Sequence, residues 1–461
     1  MSGKKVLLTG DTLLEDLRGL LVKAPQSLPE ITGVSIDTRT LSPGDLFIAL
    51  QGATDADPYA SEAFRRGAAA VVVQKPRDAL EGPVFQVRST FEALQALGCG
   101  ARARALNAQV VAVTGSVGKT GTKEVLRHVL KAYGNVHASA SSFNNHWGVP
   151  LSLARMPSSS QYGVFELGMN HPGELGPLSR MVQPHVALIT RIGLAHKAHF
   201  ENTTAIARAK AEIFEGLLPG GVAVLNRDDP HFEDLLLSLH TSGHKNVISF
   251  GAHPQADIRL LNAEVTQEGS HWVVSSFGTR HEGFLGSPGA HGLGNALGVL
   301  GVLVASGLEV SPGFQALETL KPLPGRGEKR LLATKGGKTV TLLDETYNAN
   351  PTSMAAALSL LPLYQGVRRL VVLGDMLELG EEEVKDHRDL FPLLESADLV
   401  FLCGPLMAEL NPLLPPQKYG GWASCAEELA PLVASCLQDG DLLMVKASRG
   451  MGLERLIHAL S

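Results

Sequence analysis

Apolar and polar positions divide the chain into three stretches with a shared rhythm. Up to about residue 106, Val34–Arg39 and Asp45–Leu50 read as short strands joined by the turn Ser42-Pro43-Gly44. A helix over Ala60–Gly67 and a strand over Ala70–Val73 follow. In the second stretch Gln109–Val113 is an unbroken apolar run, as expected of a strand covered on both faces of a parallel sheet. A glycine loop and a helix over Lys119–Tyr133 come next, then strands at Tyr162–Leu167, Val186–Arg191 and Gly221–Asn226 with helical patterns between them. From Ser311-Pro312-Gly313 the alternation starts again. Strands are expected at Thr339–Leu343, Arg369–Leu373, Leu399–Leu402 and Leu442–Val445, with a helix from Thr352 and another at the end. Strands alternating with helices imply βαβ units. The expected fold is therefore α/β in three domains: a small N-terminal α/β domain over 1–106, a central P-loop ATPase-like domain with a mostly parallel sheet over 107–312, and a C-terminal Rossmann-like domain over 313–461.

Composition narrows the class. Of 461 residues 44% are hydrophobic and 19% charged, which is globular and not disordered. A net charge of −6 provides no basic face for nucleic acid. Cys99, Cys403, Cys425 and Cys436 form no CxxC pair and no disulfide framework, which fits a reducing cytoplasm. Lys4, Lys5, Asp11, Glu15 and Asp16 interrupt the first apolar residues, so no signal peptide is expected. Gly289–Leu308 lacks charge, but its six glycines, His291, Asn295 and Ser306 favour a buried helix over a membrane span.

Candidate chemistry centres on Thr114-Gly115-Ser116-Val117-Gly118-Lys119-Thr120, between a strand and a helix. Inward-facing backbone N–H groups and a helix N-terminus would cradle phosphate there. Lys119 would neutralise the terminal phosphates of ATP and Thr120 would ligate Mg²⁺. Val113 stands where the strict GxxxxGK[ST] pattern has its first glycine. Glu166 is a carboxylate inside an apolar strand, which is costly unless paired or on a metal. His196 follows the next strand, so Thr120, Glu166 and His196 are the expected Mg²⁺ ligands at one sheet edge. Asn144-Asn145 reads either as a turn or as a substrate-positioning pair. Polar clusters at Asp344–Pro351, Gly374-Asp375 and Lys446–Arg449 follow strands of the third stretch, and Arg326 sits in a Gly-flanked loop before them. Together they predict a second binding surface facing the phosphate loop. In the helix expected over Thr203–Leu217, Lys210 shares a face with Ile206, Ala209, Ile213, Phe214 and Leu217. A lysine so placed snorkels, pairs with a carboxylate, or is chemically changed.

These residues resemble the Mur ligases of peptidoglycan synthesis over essentially the whole chain. The similar segments are Thr114–Thr120, the paired-Asn run Ser141–Pro150, Glu166–Glu174 and Tyr347-Asn348-Ala349-Asn350-Pro351. The His-Thr-Pro and Asp-Asn-Pro-Arg motifs of the sister enzyme that adds the third amino acid are absent from the sequence. The resemblance implies an ATP-dependent amide ligase working through an acyl phosphate, with a UDP-linked muramoyl peptide and D-alanyl-D-alanine as substrates. It implies catalytic roles for Lys119, Lys210 and His196, and ATP contacts from Thr114–Thr120, Asn295, Arg326 and Asp344. It further implies Mg²⁺ on Thr120, Glu166 and His196, and substrate contacts from Thr38, Arg39, Asn144, Asn145, Tyr347 and Asn348. It implies a carbamylated Lys210 as an Mg²⁺ ligand and a monomeric, cytoplasmic enzyme. Two departures are Asp55-Ala56-Asp57-Pro58, where the family often has Asp-Gly-His, and Gly121, where a hydroxyl residue is common. A sister ligase with another amine, a P-loop kinase or nucleotide switch, and a binding protein on the same fold are the competing readings.

Overall fold

In the computed structural model, which describes residues 5–51, 57–75, 80–140, 142–193 and 200–461, three sheets follow one another along the chain. The first contains β1 (Leu21–Lys23), β2 (Gly33–Ser35), β3 (Asp45–Ile48), β4 (Ala70–Val73) and β5 (Val84–Val87), ordered β1-β5-β4-β3-β2. The strand expected to reach Arg39 stops at Ser35. The Asp37 carboxylate then accepts from the Arg39 backbone N–H at 2.9 Å and grips its guanidinium, which favours a turn over an extended run.

The central sheet contains β6 (Gln109–Thr114), β7 (Val136–Ala138), β8 (Tyr162–Glu166), β9 (Val186–Ile189), β10 (Val222–Asn226), β11 (Asn246–Gly251), β12 (Ile258–Val265), β13 (Ser270–Ser276) and β14 (Thr279–Leu285). Its order is β14-β13-β12-β11-β10-β9-β6-β8-β7. From β7 to β12 neighbouring strands run parallel, and β12, β13 and β14 extend the sheet as antiparallel hairpins. Apolar clusters cover both faces, which accounts for the unbroken apolar runs of β6, β8 and β9. The uncharged glycine-rich stretch is the helix Ala290–Ala305, seated on one sheet face. A Cβ at Gly301 would stand 2.8 Å from Val224 Cγ1, so the glycine permits that close seat. Among the described residues no helix is long and apolar enough to cross a membrane.

The third sheet contains β15 (Glu328–Ala333), β16 (Thr339–Glu345), β17 (Arg369–Gly374), β18 (Leu399–Cys403), β19 (Tyr419–Ala423) and β20 (Leu442–Lys446), ordered β15-β16-β20-β17-β18-β19. All pairs but β15–β16 are parallel, and apolar clusters again cover both faces. The helix Val310–Glu318 runs through the expected boundary at 312, and its Phe314 and Leu317 pack in the core of the central sheet. Tyr133 holds it there by accepting from the Gly313 N–H at 2.8 Å. Apolar packing against the central sheet here outlasts the Ser-Pro-Gly turn signal.

Candidate active site

Strand order sets the geometry of the site. β6 lies between β8 and β9, with Val113 opposite Glu166 and Thr114 opposite Ile189. The carboxyl ends of the three strands therefore meet at the phosphate loop, where ligands gather in open α/β sheets. Gly118 takes a left-handed backbone (φ 85°) to start the helix Lys119–Leu130, and a Cβ there would approach Asn295 Oδ1 to 2.7 Å. Ser116 donates its backbone N–H to the Arg191 carbonyl and its hydroxyl to the Gly193 carbonyl, both at 2.8 Å. Thr190 donates to the Val117 carbonyl at 2.6 Å. The loop is thus held from behind by the end of β9, and Thr190 is a support that sequence reasoning missed. Lys119 Nζ donates to the Gly115 carbonyl at 2.6 Å, folded over its own loop. Burial lowers its pKa; the Glu166 carboxylate opposes that shift and the Arg326 charge adds to it.

Glu166 is 1% exposed. Its Oε1 accepts from Asn144 Nδ2 at 2.8 Å, and its Oε2 is buried with no hydrogen-bond partner. A buried carboxylate oxygen left open beside a phosphate loop fits an Mg²⁺ ligand, since that ion takes oxygen donors. Thr120, the second expected ligand, is buried at the first turn of the loop helix. Among the described residues no group of three His, Cys, Asp or Glu side chains could hold a metal ion. Few protein ligands suit Mg²⁺, which keeps waters and takes substrate phosphate oxygens. The third expected ligand, His196, lies outside the described residues.

Asn144 and Asn145 have separate tasks. Asn144 holds Glu166 with its side chain and accepts from the Gly168 N–H with its carbonyl. Asn145 Oδ1 accepts from the N–H groups of Trp147 and Gly148 at 3.2 and 2.9 Å, organising the start of the helix Gly148–Ala154. Its side chain is committed to the turn, and Asn145 does not line the cleft.

That cleft, of about 670 Å³, lies between the central and third sheets. Ser116–Thr120, Asn144, Glu166 and Asn295 line one side, and Arg326, Tyr347, Asn348 and Lys446 the other. In the third sheet Glu345 lies opposite Lys446, so the polar clusters after β16 and β20 converge as their strand-end positions predict. Lys446 Nζ, almost fully buried, binds Glu345 Oε2 at 3.1 Å and donates to the Asn348 carbonyl at 3.0 Å. Asp344 faces away from the cleft and accepts from the Thr346 hydroxyl at 2.6 Å and its N–H at 3.1 Å, which assigns it to the turn after β16. Tyr347 joins the two sides: its hydroxyl is 2.6 Å from Ser142 Oγ and accepts from Arg449 at 3.1 Å. The Arg326 guanidinium stacks 3.8 Å above its ring. Burial raises the Tyr347 phenol, but the Ser142 hydrogen bond and the Arg326 and Arg449 charges outweigh it and leave the pKa below its usual value.

Lys210 is 1% exposed at the end of the helix Thr203–Ala211. Burial, and then repulsion from Lys119, push its pKa well below the ordinary lysine value, and among the described residues no carboxylate opposes the shift. Of the three fates open to a lysine on this face, snorkelling is excluded by its burial. Thr38 and Arg39 lie in the turn after β2, away from the cleft, and Arg39 is largely solvent-exposed.

Comparison with known proteins agrees with this geometry. Residues 113–303 match the Mur ligase middle domain, and residues 329–449 match the Mur ligase, glutamate ligase domain. The UDP-N-acetylmuramoyl-tripeptide–D-alanyl-D-alanine ligase of Bacillus subtilis is 33% identical, with 98% of each chain covered. That of Escherichia coli is also 33% identical, covering 99% of this chain and 98% of the relative. Among solved structures, MurF from Acinetobacter baumannii superposes with a TM-score of 0.87 at 29% identity, over 98% of this chain and 99% of the other. The MurF ligase of Thermotoga maritima in complex with ADP gives 0.77 at 27% identity, over 93% and 96%. The chain belongs to the Mur ligase family.

Proposed function

We propose that the protein is an ATP-dependent, ADP-forming ligase that joins D-alanyl-D-alanine to UDP-N-acetylmuramoyl-tripeptide, a step of cytoplasmic peptidoglycan precursor synthesis. One observation carries this reading. A phosphate loop and a buried carboxylate with one open oxygen face a cationic, tyrosine-bearing surface across a single cleft. The names of the full-length relatives support the choice of amine and acceptor.

A carboxylate is a poor electrophile, so it is activated first. The tripeptide carboxylate oxygen bonds to the γ-phosphorus of ATP, the bond from that phosphorus to the β-phosphate bridging oxygen breaks, and ADP leaves. The dipeptide amine then attacks the acyl carbon, phosphate departs with the C–O electrons, and the nitrogen gives up a proton. N–H groups of the Gly115–Lys119 loop bind the phosphates, and Lys119 turns from the Gly115 carbonyl towards the oxygens that gain charge. Arg326 adds a second cation from the opposite side. Asn295, poised over Gly118 and Gly121, bounds the nucleotide. Asn144, Tyr347 and Asn348 hold the peptide substrate, and Thr38 and Arg39 in the first unit hold its uridine-diphosphate end.

Thr120 and Glu166 would hold Mg²⁺, with His196 completing the set. When bound, the ion neutralises phosphate charge and orients the transferring group. Lys210 is buried with a depressed pKa, so its neutral amine can add CO₂ and release a proton, giving a carbamate anion that adds an oxygen ligand. The test is phosphate release with the UDP-tripeptide and ATP held constant. Release that rises with D-alanyl-D-alanine, and not with single amino acids, supports the assignment; release independent of any amine overturns it.

A further inference from the structure

Lys123 is fully buried at 0% exposure, one helical turn beyond Lys119, and none of the roles above uses it. An ion pair with Glu124 at 2.8 Å makes that burial tolerable. Its Nζ also donates to the Ser139 carbonyl at 2.8 Å. Ser139 opens the loop that carries Ser142 and Asn144, and its own N–H donates to the Val164 carbonyl of β8 at 3.0 Å. Five residues further on, Asn144 returns to the same strand, with its side chain on Glu166 and its carbonyl on the Gly168 N–H. The loop is therefore tied to the Glu166 strand at both ends, and Lys123 fixes its near end to the phosphate-loop helix.

We propose that Lys123 is a positioning residue that, through Ser139 and Asn144, sets the Glu166 carboxylate against the phosphate loop for divalent-cation binding. The inference rests on the reading of Glu166 as an ion ligand. Lys119 and Lys123 then divide the work of one helix: the first meets phosphate, and the second aligns the carboxylate that shares the ion with it. A salt-bridged lysine on a helix face ordinarily contributes only to folding. The difference here is that its second bond ends on the backbone of a loop whose other end grips the ligand.

The test reads ion binding and needs no turnover. Mn²⁺ affinity is measured by electron paramagnetic resonance on the full chain with a non-hydrolysable ATP analogue. It is compared among wild type, Lys123→Met, Asn144→Ala and the double variant. Lys123→Met is expected to weaken Mn²⁺ about ten-fold, a charge-assisted hydrogen bond being at stake. The double variant should lose no more than Asn144→Ala alone, because both residues act on Glu166 in series. Lys123→Gln, which keeps a donor, should recover part of the loss, and it replaces Lys123→Met in the cycle if that variant does not fold. Unchanged Mn²⁺ affinity in the Lys123 variant, or losses that simply add, overturn the positioning role. Wild type that binds no Mn²⁺ with the nucleotide overturns instead the reading of Glu166 on which it rests.

Discussion

Replacing Glu166 by glutamine should separate what the site costs the fold from what it offers a ligand. The carboxylate is 1% exposed, takes one hydrogen bond on Oε1 and leaves Oε2 unpartnered. A buried unsatisfied polar atom costs about 1–3 kcal/mol, and more when charged. The nearby Lys119 ammonium offsets part of this. Glutamine keeps an acceptor for Asn144 and removes the net charge, so the ligand-free protein should gain about 1 kcal/mol. For a unit of roughly 200 residues that raises the melting midpoint by about 2–4 °C. Ligand stabilisation has the opposite sign in this comparison. A ligand bound only by the folded state adds about 2.7 kcal/mol at a hundred-fold excess over Kd, or about 5–10 °C on the same scale. Thermal unfolding followed by fluorescence, with and without Mg²⁺ and ADP, reads both effects. The variant should melt higher than wild type alone and respond less to Mg²⁺ and ADP together. A variant that melts lower without ligand, yet keeps the full Mg²⁺-dependent rise, would refute the reasoning on both counts.

Lys210→Ala should abolish amide formation, and wild-type enzyme stripped of bicarbonate should lose activity and recover it when bicarbonate is returned, since the neutral amine is the form that adds CO₂. The lysine's folded pKa lies below its unfolded value. Its charge therefore weakens the fold below the folded pKa, and this penalty fades as pH rises towards the unfolded value; a stability–pH slope unaltered by Lys210→Ala would count against the assignment. Tyr347→Phe keeps the ring beneath Arg326 but loses the bonds to Ser142 and Arg449, so KM for the peptide substrates should rise about five-fold with ATP affinity little changed. An unchanged KM would remove Tyr347 from the substrate surface. Gly118→Ala places a Cβ at φ 85° and 2.7 Å from Asn295 Oδ1, so calorimetry should find ATP binding weakened about ten-fold from roughly 1–2 kcal/mol of strain. Wild-type affinity would show that the loop can bind ATP in another shape.

The elements legible in the sequence are those whose pattern is local. The apolar run of β6, the glycine turn and Lys119-Thr120 specify a phosphate loop without further context. Glu166 stood out because a carboxylate in an apolar strand demands a partner, and its register opposite Val113 sets it beside the phosphate loop. Lys210 stood out because its helix face is apolar. What failed to read depends on which neighbour a short polar side chain chooses. Asn144 and Asn145 are the same residue type, yet one binds Glu166 and the other accepts from the N–H groups of Trp147 and Gly148 in the turn before a helix. At the end of β16 a two-residue alternation turns Asp344 away and Glu345 towards the cleft, a rule that could have been applied from the strand pattern. The antiparallel hairpins of β12–β14 alternate buried and exposed positions, most plainly in Ser270–Ser276, but the polar residues among them masked the signal. Lys123 gave no local sign, since the Ser139 carbonyl it holds comes from the loop after β7, 16 residues along the chain.

The central claim is amide synthesis, and the mass of the product tests it most directly. The protein is incubated with ATP, Mg²⁺, UDP-N-acetylmuramoyl-tripeptide and D-alanyl-D-alanine, and the mixture is resolved by mass spectrometry. The account predicts UDP-N-acetylmuramoyl-pentapeptide, formed with one ADP and one phosphate per peptide bond and absent when either peptide substrate is left out. ATP consumed with no pentapeptide, or a stable phosphorylated product that D-alanyl-D-alanine does not convert, would contradict it.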